Sequence, residues 1–183
     1  MTKIKICGLK RPEDIRAVNE AQPDFAGFVI EVSKSRRNVS VEQVRELAKG
    51  LSEQIQAVGV FVNAPLDLVA GLLNDGTLAL AQLHGSEDEA YIRQLRQMID
   101  KPLLQAFSIR TEADIERALQ SSADYLLLDQ GGGGTIAYIL ANYGMNVIDS
   151  GVAVLNMHAP WEIISKVDLY EALHGYVAFL KEA

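Results

Sequence analysis

Short apolar runs alternate with amphipathic stretches along most of the chain. The runs fall at Lys3–Cys7, Asp24–Ile30, Ile55–Val62, Leu78–Leu83, Pro102–Phe107 and Asp124–Asp129. Each is nearly continuous in apolar residues, as expected for parallel strands buried on both faces. The intervening segments carry helix starts. Ser40-Val41-Glu42-Gln43, Ser86-Glu87-Asp88-Glu89 and Thr111-Glu112-Ala113-Asp114 each read as a capping box followed by an apolar stripe. Pro12 and Pro65 fall in first turns, where the missing N–H is not needed.

Six strand-then-helix units at near-regular spacing fit two architectures, a (β/α)8 barrel or a doubly wound open sheet. No G-x-G-x-x-G follows the first strand, which lowers a dinucleotide-binding reading. The reading adopted is an α/β fold of (β/α)8 TIM-barrel type, with six regular βα units and an atypical closing segment. It treats residues 1–183 as one barrel-type domain, with a tail over 136–183.

The pattern changes after Asp129. Gly131-Gly132-Gly133-Gly134-Thr135 leads into a helix-like stretch over 136–143. Two apolar runs follow, Val147-Ile148 and Val152–Leu155, too close for a parallel crossover. They predict one bent strand or a hairpin. A loop at Met157–Glu162 and a last amphipathic helix bearing Leu169, Leu173, Tyr176 and Leu180 complete the chain.

Composition narrows the function classes. At 183 residues and 49% hydrophobic, the chain can bury a full core, but it is short for eight units. The net charge of −7, with no basic stripe, argues against nucleic acid as partner. No apolar run reaches membrane-spanning length, and the N-terminus lacks a signal-type core. A single cysteine excludes an internal disulfide framework. A cytoplasmic location is the expectation.

The candidate chemistry sits at strand ends, because a parallel barrel delivers the last residue of every strand to one rim. Cys7 ends the first strand. It is either a base, if positive charge favours its thiolate, or a small core residue. Asp129 ends the sixth. It reads equally as a general acid or as a turn aspartate. A guanidinium in Lys34-Ser35-Arg36-Arg37 could grip a carboxylate, or the segment is a solvated basic loop. Gln82 and His84 close the fourth strand, where they line a pocket or cap a helix. The Gly131–Thr135 run could cradle a phosphate or serve as a connector. His158 could ligate a metal, but one histidine is not a site.

Taken in order, K-I-C-G-L at 5–9, D-F-A-G-F-V-I at 24–30, K-S-R-R-N-V-S at 34–40, V-G-V-F-V-N at 58–63, A-Q-L-H-G at 81–85 and L-L-L-D-Q-G-G-G-G-T at 126–135 resemble the phosphoribosylanthranilate isomerase family. The resemblance implies a cofactor-free Amadori rearrangement of N-(5-phosphoribosyl)anthranilate in tryptophan biosynthesis. It implies that Asp129 is the general acid, Cys7 the base and Arg37 the holder of the anthranilate carboxylate. Gln82, His84, Gly133 and Gly134 join it as substrate-binding positions, and no metal is used. The family's F-D-W segment, strand-seven glycine pair and S-S-G-V-E segment are not intact here. In their place, residues 131–183 resemble the C-terminal end of aspartyl-aminopeptidase-type zinc peptidases, in which the counterpart of His158 is a ligand. The rival expectation is therefore a catalytically inert barrel fragment, or a fusion with a metallopeptidase tail, acting at most as a binding or association module.

Overall fold

The computed structural model describes residues 3–109 and 111–130, together with the short segments 154–155 and 163–164. Contacts divide the chain into two units, one spanning Lys3–Ile136 and the other comprising Met1–Thr2 and Ala137–Ala183.

In the first unit, strands β1 (Lys5–Cys7), β2 (Phe25–Ile30), β4 (Gln56–Phe61), β5 (Leu80–Leu83), β6 (Leu103–Ile109) and β7 (Tyr125–Gln130) alternate with five helices. The helices are α1 (Pro12–Ala21), α2 (Val41–Lys49), α3 (Leu66–Asn74), α4 (Glu89–Arg96) and α5 (Glu112–Leu119). The strands lie in one parallel sheet in the order β1-β2-β4-β5-β6-β7. A doubly wound sheet reverses its order at a switch point. This sheet never reverses, so the barrel-type reading holds and the alternative falls.

The sheet also curls. The Lys5 ammonium on β1 donates to Gln82 Oε1 on β5, three positions along the sheet. In a flat sheet those strands stand about 14 Å apart and their side chains leave in parallel. Contact between them requires the curvature of a barrel wall.

The convex side is closed by helices. Val44 and Leu47 of α2, Val69, Leu72 and Leu73 of α3, and Ile92 and Leu95 of α4 pack on Phe28, Ile30, Phe61, Ala81, Leu83 and Leu103. Two aspartates serve as strand clips. Asp24, just before β2, accepts the Ile4 N–H at 2.8 Å. Asp124, just before β7, accepts the Leu103 N–H at 2.7 Å and pairs with Arg96.

Three sequence expectations need correction. The helix read from Ser86 starts later: Asp88 is the cap, accepting the Tyr91 N–H at 2.9 Å. Glu87 is instead buried and serves the rim. Pro65 is the residue before α3 rather than within its first turn. The basic loop after β2 ends in an unforeseen two-residue strand, β3 (Asn38–Val39), paired parallel to Val29-Ile30. Burial of the Val39 side chain anchors it.

In the second unit, β8 (Val154–Leu155) pairs antiparallel with β9 (Ile163–Ile164), a partner the apolar pattern did not identify. The expected strand at Val147-Ile148, the final helix, the glycine run with Gly133 and Gly134, and His158 lie outside the described residues. Among the described residues, no helix is long and apolar enough to cross a membrane.

Candidate active site at the strand C-termini

Alternation along paired strands decides which residues share a face. Cys7 pairs with Gly27, Gly27 with Val58 and Val58 with Leu80. Two residues on from Leu80, Gln82 pairs with Leu104. Four residues beyond Leu104, Ser108 pairs with Asp129. Cys7 and Asp129 therefore hold register positions on one face of the sheet, near the same ends of its first and sixth strands. Lys5 and Gln82 share that face.

Cys7 is exposed, which removes the reading as a small core residue. Gly27 makes room for it, since a Cβ at Gly27 would lie 2.6 Å from Cys7 Sγ. The next residue, Gly8, has φ of +89°, which turns the chain off the strand toward α1.

Arg37 crosses this turn. A Cβ on Gly8 would meet Arg37 Cδ at 2.3 Å, so the arginine stem lies directly over the Gly8 backbone. Its loop is held from several sides. Ser35 Oγ accepts the Arg37 N–H at 3.1 Å, and Asn38 Oδ1 accepts the Val32 N–H at 2.6 Å. A cavity of about 560 Å³ is lined by Cys7, Gly8, Lys10, Arg11, Arg36 and Arg37 among others. Arg36 lines it as well as Arg37, and Lys10 Nζ donates to the Arg36 carbonyl at 3.0 Å. Among the described residues, the one acid in that lining is Asp14. The Lys10 N–H, followed by the side chain and N–H of Arg11, holds its carboxyl below the usual range despite an opposing burial contribution.

Gln82 is only 2% exposed, and both ends of its amide are engaged. Oε1 accepts from Lys5, while Nε2 lies 2.7 Å from His84 Nδ1. An amide nitrogen can only donate, so His84 Nδ1 is the acceptor in this bond. His84 itself is exposed at the rim. Burial pulls the Lys5 ammonium below its ordinary value, and the neighbouring Cys7 charge pushes it back up.

Glu87, unrecognised from the sequence, braces this rim. Its carboxylate accepts the Asn63 N–H at 2.6 Å and the Gly85 N–H at 2.7 Å. Asn63, at φ +51°, accepts from Ser86 N at 2.8 Å. Gln105 Nε2 donates to the Glu87 carbonyl at 2.8 Å. Its motif-like position before a helix concealed this role.

The structure thus brings Cys7 and Arg37 to one cavity, and joins Lys5, Gln82 and His84 in one hydrogen-bonded chain. Asp129 is placed by strand register. Among the described residues, no group of three or more His, Cys, Asp or Glu is placed to hold a metal.

Known proteins match the same frame. The family model described as N-(5'-phosphoribosyl)anthranilate (PRA) isomerase matches residues 4–137. The chain belongs to this family. The isomerase of Endomicrobium trichonymphae is 43% identical over 129 residues, covering 70% of this chain and 62% of that protein. The chain thus spans less than two thirds of the length of such a relative. A solved phosphoribosyl anthranilate isomerase, in complex with reduced 1-(o-carboxyphenylamino)-1-deoxyribulose 5-phosphate, superposes with a TM-score of 0.67 at 30% identity. It covers 78% of this chain and 70% of that one.

A second model, aminopeptidase I zinc metalloprotease (M18), matches residues 98–180. A probable M18 family aminopeptidase of Clostridium acetobutylicum is 53% identical over 90 residues, which is 49% of this chain and 16% of that protein. The tail is therefore similar to M18 peptidases. The M18 match begins upstream of the glycine run and overlaps the isomerase match, taking in β6, α5 and β7.

Proposed function

We propose that this chain is a phosphoribosylanthranilate isomerase acting by cofactor-free proton transfer. Asp129 gives a proton to the furanose ring oxygen. The C1–O bond breaks as the anthranilate nitrogen forms an iminium. The Cys7 thiolate takes the proton from C2, and the resulting enolamine tautomerises to the ketone. Arg37 holds the anthranilate carboxylate. Two groups at opposite ends of a short sugar suit one acid step and one base step.

The observation that carries this reading is the register path across six strands. It gives Cys7 and Asp129 positions on one face of the sheet, near the same strand ends. Support for Arg37 comes from its stem over Gly8, beside the thiol. Gln82 has both amide ends engaged within the protein, so His84 is the better candidate of the two for direct contact with substrate.

The family segments that grip phosphate at strands seven and eight have no intact counterpart in this sequence. Phosphate held far from the reacting carbons positions the sugar, so turnover is expected to be low. Calorimetry with reduced 1-(o-carboxyphenylamino)-1-deoxyribulose 5-phosphate tests the reading. Saturable binding that weakens at least tenfold in Arg37→Ala is expected. No binding by the full chain, or equal binding by the variant, contradicts it.

A further inference from the structure

We propose that Lys5 is a positioning residue for the Cys7 base, its ammonium being clamped by Gln82 on the face they share so that it provides the countercharge for the thiolate. The inference rests on the functional reading above, in which Cys7 abstracts the proton.

Three observations carry it. First, Lys5 and Cys7 belong to the same three-residue strand, and alternation puts both on one face, about 7 Å apart along the backbone. Second, the lysine is partly buried and held. It donates to Gln82 Oε1, and the other end of that amide is committed to His84 Nδ1, so the amide cannot turn over without losing both bonds. Third, a lysine in a strand of this sheet loses hydration and needs compensation. A neutral amide oxygen supplies a hydrogen bond but no charge. The Cys7 charge opposes the burial effect on the Lys5 ammonium.

Among the described residues, Lys10, Arg11, Asp14 and Arg36 line the Cys7 cavity. His84 lies at the end of β5 and takes part in the Gln82 bond. Arg37 crosses Gly8 from the loop after β2. Asp129 holds a register position on the same face in β7. Arg37 is exposed, whereas Lys5 is partly buried and clamped. A clamped, partly desolvated charge is screened less than one on an exposed loop.

The experiment uses the full chain and the rate of iodoacetamide alkylation against pH. Cys7 is the only cysteine, so the reaction reports that thiol alone. Lys5→Met is expected to raise the midpoint of the profile by about one pH unit, and Lys5→Arg to restore most of that shift. An unchanged midpoint in folded Lys5→Met overturns the proposal. If Lys5→Met does not fold, the wild-type chain decides. A midpoint about half a unit or more below that of the urea-unfolded chain supports the proposal, and an equal or higher midpoint overturns it. Alkylation requires no turnover, so failure of the isomerase reading would appear separately, as a lowered, Lys5-dependent thiol midpoint without isomerase activity.

Discussion

Gly8→Ala couples the backbone to the proposed carboxylate grip. At φ +89° an alanine is strained whatever space surrounds it, and the strain costs about 1–2 kcal/mol. The added methyl would also lie 2.3 Å from Arg37 Cδ and 3.1 Å from Arg37 Nε. The Arg37 side chain is exposed and flexible, so it yields by swinging away rather than by distorting the sheet. The stability loss should therefore stay near the backbone figure, a melting temperature lower by roughly 3–8 °C. The larger effect falls on the substrate. A charge-assisted bond is worth about 2–3 kcal/mol, so its loss raises KM roughly 30- to 150-fold while kcat changes much less. Steady-state kinetics and a thermal melt on the same preparation give both numbers. An unchanged KM in a stably folded Gly8→Ala would refute the placement of Arg37 over the substrate carboxylate.

Three further predictions follow from contacts elsewhere in the sheet. Glu87→Ala leaves the Asn63 and Gly85 N–H groups without their part-buried acceptor and should destabilise by about 1–3 kcal/mol in urea titration, with Glu87→Gln recovering part of that. Burial, aided by the Glu87 charge, pushes the Tyr91 hydroxyl up to about 12. The raised folded-state value makes its contribution fully present below pH ~10, the unfolded value, and lost as pH rises through 12. After allowance for partial exposure that is about 1–2 kcal/mol, and the alkaline loss should be absent from a pH-stability profile of Tyr91→Phe. Replacing the chain after Gly134 with isomerase-type strand-seven and strand-eight segments should raise kcat/KM by orders of magnitude, and an unaltered kcat/KM would mean that the native tail already grips phosphate.

The six strands of the main path were legible because each lies in a nearly unbroken apolar run and helix signals separate the runs. β3 was not, since two residues in a basic loop give no period and only the buried Val39 holds them. Ser86 looked like a cap because its sequence satisfies the capping-box rule. Rim packing overrode the rule by turning Glu87 inward to two backbone N–H groups. Cys7 and Arg37 could be singled out from motifs, but their meeting at Gly8 depends on a loop path that residue spacing does not encode. Lys5 was legible in principle. K-I-K-I-C puts residues 5 and 7 on one side of a strand, yet a lysine near a chain start passes for a surface residue until Gln82 is seen to hold it.

The central claim is that Cys7 and Asp129 act as base and acid on one substrate. Turnover of N-(5-phosphoribosyl)anthranilate by the purified full chain, beside Cys7→Ser and Asp129→Asn, tests it most directly. The account predicts low but measurable isomerisation by the wild-type chain, reduced at least a hundredfold by either substitution alone, with both variants still folded. No isomerisation by the wild-type chain, or turnover that survives either substitution, would contradict it.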